Sequence, residues 1–270
     1  MIDSELQAEL RRRFNPDGSL LRRHQLRMLD MLKYIDQICQ ENDIPYWLSS
    51  GTCLGAVRHG GFIPWDDDID IEMLGKDYDR FLRIMEIRCD SRYVIQTHQN
   101  DSAYLLPFGK LRDRNSEMKE TIVIDRDYKY RGVYIDIFPI EASAHRSMAV
   151  AGSYLMRLCL ATNRIENRIL RKICRTSSYF IGFEMIAPVV RFFTAKQQSD
   201  TLRHRFGGVF LKPRSYHDIF PIRRIAFEDC TLCVPGNTDN YLKKLYGNYM
   251  QLPDIDSLHV HVKDIDISDD

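Results

Sequence analysis

The stretch from Trp65 to Met73, WDDDIDIEM, constrains this chain more than any other. Asp66, Asp67, Asp68 and Asp70 fall directly after a tryptophan and among isoleucines, residue types that favour burial. Like charges this close repel, and an ordinary acidic run would be left in solvent. Here acid and apolar residues alternate, which is the period of a strand. On a strand Asp68 and Asp70 share one face, while Ile69 and Ile71 point into the core. Asp66 has the same parity if the extended geometry begins early, and Asp67 the opposite one. Two carboxylates on one face, roughly 7 Å apart along the strand, suit a shared divalent cation. Hard oxygen ligands in this pattern select Mg²⁺ or Mn²⁺, which also bind phosphates. A cation would remove the repulsion that otherwise raises the carboxylate pKa values.

Just upstream, Ser49-Ser50-Gly51-Thr52 closes a short aromatic strand, YWLSS, and opens a small-residue helix, TCLGAVRH. A helix N-terminus offers free N–H groups and the positive end of the dipole, a natural phosphate seat. Gly51 lets the backbone come close, and Ser50 or Thr52 can donate a hydroxyl. A phosphate seat and a metal seat on neighbouring strands, joined by one short helix, is the layout of the nucleotidyltransferase fold. That layout needs a third acid on a later strand. Asp136 in GVYIDIFPI sits between apolar residues as a strand acid should. Asp218, in a second copy of the pentapeptide DIFPI, is the rival, but Ser215, Tyr216 and His217 before it are not a core-strand pattern.

The rest of the chain reads as a mixed α/β (α+β) domain. Leu26, Leu29, Leu32, Ile35, Ile38 and Cys39 recur at helical spacing in 22–43, and 77–89 is helical. YVIQTH (93–98), LLPFGKLR (105–112) and GVYIDIF (132–138) read as strands, IAFEDCTLCVP as a hairpin, TDNYLKKLYGNYM as a short helix. Three units follow: a catalytic core with an N-terminal helix, 1–145; a helical, Arg-rich insertion, 146–215; and C-terminal elements packing back on the core, 216–270, ending in an acidic tail. Lys+Arg (38) equals Asp+Glu (38), so no global basic field argues for nucleic acid. The charged start has no signal-peptide core, no run is apolar enough to span a membrane, and seven scattered cysteines read as reduced thiols. The expected location is the cytoplasm, at most the inner face of a membrane. Cys230 and Cys233 form a lone C-x-x-C without an evident second pair, and three-residue spacing on a strand separates the thiols. His259 and His261 in the tail read as surface residues.

Four blocks resemble the LicD family of phosphocholine transferases, itself similar to the fukutin-related ribitol-phosphate transferases: YWLSSGTCLGAVRHGGFIPWDDDIDIEM (46–73), FGKLRD (108–113), GVYIDIFPI (132–140) and YLKKLYGNYMQLP (241–253). Cys53 replaces a usual leucine of similar size, and the tail DIDSLHVHV is less typical. The resemblance implies an enzyme that moves a phospho-alcohol, commonly phosphocholine from CDP-choline, onto a hydroxyl of a cell-surface glycan such as lipopolysaccharide or teichoic acid. In it Asp68 and Asp70 match metal-binding acids, Asp66 assists, and Asp136 matches the third acid. A CDP-alcohol would then bridge Mg²⁺ and the Gly51–Thr52 helix start. Lys110 and Arg58 are the candidates to neutralise its diphosphate, and Arg112 shares the Lys110 strand face if the strand is straight. Trp65 either packs in the core or walls a base or quaternary ammonium. Arg58 can equally answer the aspartates as a structural ion pair, and Lys110 can be a surface lysine.

Two other functions use the same residues. A nucleotidyltransferase would move NMP from an NTP to a small molecule, sugar or protein, releasing pyrophosphate; a silent glycan-binding scaffold would turn nothing over. The helices of 146–206 have three readings: an acceptor lid, a membrane-surface face, or plain packing. Plain packing with solvated arginines is the default, with Tyr154, Leu155, Leu158, Ile165, Ile169 and Ile173 as a core stripe; Arg157, Arg164, Arg168, Arg171 and Arg175 gathered on the opposite face would instead point to anionic lipids or a phosphorylated glycan.

Overall fold

The first half opens with two helices, then alternates strand and helix, and ends in four successive strands. The computed structural model describes residues 2–118, 125, 127–143, 145–194, 199–208, 210–255 and 265–267. The first half runs α1 (Ser4–Phe14), α2 (Leu20–Glu41), β1 (Trp47–Leu48), α3 (Ser50–His59), β2 (Asp70–Leu74), α4 (Gly75–Arg88), β3 (Tyr93–Gln96), β4 (Gly109–Asp113), β5 (Ser116–Met118) and β6 (Tyr134–Ala142). The second half runs α5 (Arg146–Ala161), α6 (Arg168–Tyr179), a π-helical stretch Phe180–Ile186, α7 (Ala187–Thr194), β7 (Thr201–His204), β8 (Arg214–Ser215), α8 (Tyr216–Ile219), β9 (Arg223–Phe227), β10 (Cys230–Val234), α9 (Thr238–Tyr246) and β11 (Ile265–Ile267).

One mixed sheet organises the chain, in the order β1-β2-β6-β4-β3, with β7 beside the far end of β6 and β8 beside β7. The β2–β6 pair at its centre is parallel, and β6 pairs antiparallel with β4 and β7. Ile69, Ile71, Leu111, Ile135 and Ile137 are fully buried, as period-two alternation demands. Helix α2 begins at Ser19, whose hydroxyl accepts the Arg22 N–H, and buries Met28, Leu32 and Ile35 completely. Leu26 alone of its expected stripe is exposed. The expected hairpin is β9–β10, held to α2 by Arg224, which forks onto Asp36 through two 2.8 Å hydrogen bonds. The seven cysteines are free thiols; that of Cys230 donates to the Phe227 carbonyl, and that of Cys233 accepts from Arg224. His259 and His261 lie outside the described residues.

In the insertion, helix ends at Thr194, and from Thr201 the chain returns to the sheet as β7 and β8, ahead of the boundary expected at 215. The expected core stripe there is mostly exposed, with only Leu155 and Ile165 half-buried, while Arg157, Arg164 and Arg168 lie in solvent. Ile169 is 73% exposed, Leu158 67% and Tyr154 63%, and Ile173 also faces out. Arg171 and Arg175, expected in solvent, are buried. Both guanidiniums close on Asp127 of the loop before β6: Arg171 by a fork of 2.7 and 3.2 Å, Arg175 at 2.9 Å. Arg171 also donates to the Ile165 and Glu166 carbonyls. A helix with one apolar and one basic face can dock either way round. A half-buried acid with a matching fork settles which face turns inward.

Candidate active site

The site is built where β2, β6 and β4 lie side by side. In the parallel β2–β6 ladder Asp70 stands opposite Asp136, and in the antiparallel β6–β4 ladder Asp136 stands opposite Lys110. One row across three strands therefore carries acid, acid and base, with neighbouring strands about 4.8 Å apart. The Asp70 backbone is fixed at both ends: its carbonyl accepts the Ser49 N–H at 2.9 Å, and its N–H donates to the Thr52 hydroxyl at 2.9 Å. Asp136 is likewise tied, its N–H donating to the Ile69 carbonyl at 2.9 Å. The approach to β2 is held from α2, where Gln25 donates to the Asp66 carbonyl and His24 bonds the Asp67 carbonyl, both at 2.8 Å. Two buried polar residues on a core helix thus keep the acidic run in place.

Helix α3 starts against these acids. A Cβ on Gly51 would lie 3.1 Å from the Asp66 carboxylate, so the glycine permits this close approach. Ser50 has a φ of 44°, left-handed for a residue with a side chain, at a cost of about 1–3 kcal/mol. Ser50, Gly51, Asp66, Asp68 and Asp70 form one wall of a cleft of about 600 Å³. The other wall comes from far along the chain: Phe210, Lys212, Arg214 and Tyr246.

The electrostatics follow from this crowding. Burial, then the charges of Asp68, Asp136 and Asp66, hold the Asp70 carboxyl well above the usual range. Burial followed by Asp136 and Asp67 pushes Asp68 up to about 6, with Lys110 pulling back. Asp66 is raised by burial and by Asp68 and Asp67. Among the described residues no three metal-binding side chains already stand at coordinating distance. Lys110 instead occupies Asp136, Nζ to Oδ1 at 2.8 Å, and lies 3.4 Å from the centre of the Tyr134 ring. The donor set is nonetheless all hard oxygen, and its mutual repulsion is the condition a divalent cation relieves.

Several sequence candidates have structural partners. Arg112 does share the Lys110 face, with Cζ 4.5 Å from the same Tyr134 ring, but it is buried, donating at 2.8 Å to the Gln96 side chain and to the Gly132 carbonyl. Arg58 is buried too; it donates to the Tyr249 carbonyl at 2.9 Å and the Gln251 carbonyl at 3.3 Å, binding the YGNYMQLP segment to α3. Arg58 is close enough to Asp66 for their charges to interact, yet does not line the cleft. The Thr52 hydroxyl is engaged by Asp70. Trp65 is edge-on to Phe14 and His59, ring centres 5.3 and 5.8 Å away. Asp218 lies in α8, away from the row, accepting from Asn240 at 2.6 Å and Lys244 at 2.5 Å.

The reading from sequence missed Glu72, Arg214, Tyr241 and Tyr246. Glu72 continues the face of Asp68 and Asp70 but is fully buried. It accepts from Trp47 and from Arg214, each at 2.8 Å, and lies 3.1 Å from His204 and 3.3 Å from the Tyr241 hydroxyl. Burial alone would raise this carboxyl; Arg214 and His204 outweigh it and hold it well below the usual range. Arg214 reaches on to the Ser50 hydroxyl at 3.5 Å, presenting a cation beside the α3 start. Burial and the nearby Asp70 push the Tyr246 hydroxyl up to about 12. The acid at 72 was legible as a third member of the alternation; its partners, all distant in sequence, were not.

Comparison with known proteins matches this site region. Residues 43–154 fit the model of the LicD/FKTN/FKRP nucleotidyltransferase domain. The lipopolysaccharide cholinephosphotransferase LicD of Haemophilus influenzae is 28% identical over 255 residues, 86% of this chain and 92% of that protein. The human ribitol 5-phosphate transferase FKRP is 40% identical over 45 residues, 17% of this chain and 9% of its own length. The human ribitol-5-phosphate transferase FKTN is 37% identical over 49 residues, 18% and 11%. Residues 43–154 thus resemble the LicD/FKTN/FKRP nucleotidyltransferase domain, the whole chain resembles a cholinephosphotransferase over most of its length, and with relatives of this kind the chain is an enzyme.

Proposed function

We propose that this enzyme transfers a phospho-alcohol, phosphocholine from CDP-choline first among the donors, to a hydroxyl of a cell-surface glycan, releasing CMP. The observation that carries the reading is the row Asp70–Asp136–Lys110 beside the start of α3, with Asp70 lining a cleft that Arg214 and Lys212 also line. The choice of transferred group and acceptor is supported by the Haemophilus relative, a lipopolysaccharide cholinephosphotransferase that this chain matches over most of its length. Asp68, Asp70 and Asp136, with Asp66 assisting, would hold Mg²⁺ or Mn²⁺, which supplies charge neutralisation on the donor diphosphate.

The chain's own groups have defined tasks in this reading. The N–H groups at Gly51 and Thr52 seat the diphosphate, and Arg214, Lys212 and Lys110 offset its charge. When donor enters, Lys110 is positioned to exchange its bond to Asp136 for one to a phosphate oxygen. Asp136, the base of this scheme, takes the proton of the acceptor hydroxyl. The hydroxyl oxygen then attacks the phosphorus that bears the alcohol, in line with the bond to CMP. That P–O bond breaks with its electron pair leaving on CMP. Such transfers need positioning and charge neutralisation more than covalent help from the protein.

Incubation with CDP-choline, a lipopolysaccharide acceptor and Mg²⁺, scored by CMP and by choline on the glycan, tests this. Release of pyrophosphate from an NTP, with no CMP from any CDP-alcohol, would support NMP transfer instead.

A further inference from the structure

The outward face of the helical segment carries exposed apolar residues that the catalytic reading leaves unused. From Arg168 to Thr194, α6, the π-helical stretch and α7 form one continuous rod. Ile169, Ile173 and Phe180 follow one another on one side of it, and beyond the π-helical stretch Val189, Phe192 and Phe193 continue the exposed apolar surface. Single exposed apolar residues are ordinary on any protein, but a run of this extent marks an interaction surface.

The rod's orientation is set by specific contacts. Arg171 and Arg175 hold the inner side on Asp127. Tyr179 stacks on His98 with ring centres 3.4 Å apart, and a Cβ on Gly182 would meet the Leu155 side chain at 2.9 Å. With these groups turned inward, the apolar side faces outward.

The charge around it identifies what covers it. Arg157, Arg164, Arg168 and Lys172 are exposed around the α5–α6 corner, while the exposed acids from 146 to 194 are Glu166 and Glu184 among the described residues. Arg168 and Lys172 each precede an apolar residue of the stripe, Ile169 and Ile173, so their stems can lie on the apolar surface while their charges reach headgroups. A second copy of this surface would bring like charges together, which disfavours self-association. An anionic lipid leaflet matches both the apolar stripe and its cationic border. No helix among the described residues is long and apolar enough to cross a membrane.

We propose that α5–α7 dock this enzyme on an anionic bilayer, with the α6–α7 rod lying in the headgroup plane. The proposal is independent of the donor and acceptor assigned above, because its readout is lipid binding. The purified full chain is sedimented with sucrose-loaded vesicles of phosphatidylcholine alone or mixed with phosphatidylglycerol. Binding to the mixed vesicles, weakening as salt rises, is expected, with little to phosphatidylcholine alone. Phe180→Ser with Phe193→Ser should weaken it by about tenfold or more. Arg168→Gln and Lys172→Gln should each weaken it about fivefold. All four positions are exposed, so unchanged melting curves will show that the variants fold. Three outcomes overturn the proposal: no binding to mixed vesicles at low salt, variants that bind like the parent, or a dimer in sedimentation velocity that the Phe variants dissolve while lipid binding stays absent.

Discussion

The pentapeptide DIFPI occurs at 136–140 and again at 218–222, and the two copies fold differently. The first lies inside β6, between β2 on one side and β4 and β7 on the other. Its Ile137, Phe138 and Ile140 are buried, and Asp136 stands beside Asp70. In the second, Asp218 and Ile219 close the single turn of α8, and Phe220 leaves it to stack on Tyr216, ring centres 4.5 Å apart. The surroundings decide. Before the first copy stands GVYI, a strand-forming run with sheet partners on both edges. Before the second stands Ser215-Tyr216-His217, pinned by Asp200: its side chain accepts from the Ser215 hydroxyl at 2.7 Å and the His217 N–H at 3.0 Å, and its carbonyl takes the Tyr216 N–H at 2.8 Å. Identical residues therefore place one carboxylate in the acidic row beside Asp70 and Lys110, and the other in contacts with Asn240 and Lys244. Motif content alone does not separate the two placements; the neighbouring strands do.

The sharpest way to break this comparison is to neutralise each aspartate. Asp136→Asn should lower turnover by about a thousandfold or more, read as CMP release, with folding retained. Asp218→Asn should leave turnover within a few-fold and instead cost stability, about 1–3 kcal/mol in urea melts. Equal loss of turnover in the two variants would remove the distinction drawn between the copies.

The isoleucines at the ends of the copies sharpen it further. Ile140 is fully buried and Ile222 only partly. Ile140→Ala should cost about 3 kcal/mol and Ile222→Ala about 1. A third probe is cation binding against pH, followed by melting temperature with Mg²⁺ or Mn²⁺ and with chelator. Asp68 titrates near 6 because burial and neighbouring acids favour its protonated form. In the cation-free protein this group therefore adds stability as pH falls toward 6 and below. The same protons compete with the cation, so metal-induced stabilisation should be full at pH 7–8 and fade as pH drops through about 6. Asp136→Asn should abolish that stabilisation and Asp218→Asn preserve it. The smallest effect belongs to Lys244→Ala: its partner Asp218 is buried but the lysine is half exposed, so a loss of up to about 1 kcal/mol is expected.

Much of the core was readable from local pattern. Alternation in DIDIE put Ile69 and Ile71 inside, and it implied one face for Asp68, Asp70 and the overlooked Glu72. Helical spacing located α2, and the glycine before Thr52 marked the start of α3 against the acids. These properties concern residues a few positions apart, where backbone geometry alone fixes which side chains share a side. Tertiary structure decided what each face would meet. Arg58 and Arg112 were plausible phosphate ligands until carbonyls of distant segments took them up, whereas Arg214, Lys212 and Tyr246 became cleft walls because the chain returns past α3 after the insertion. Asp127 turned Arg171 and Arg175 inward and left Ile169 and Phe193 outside. Amphipathic spacing defines two sides of a helix but carries no label for which is buried. That label comes from the partner surface, and its charge complementarity is a property of the assembled fold.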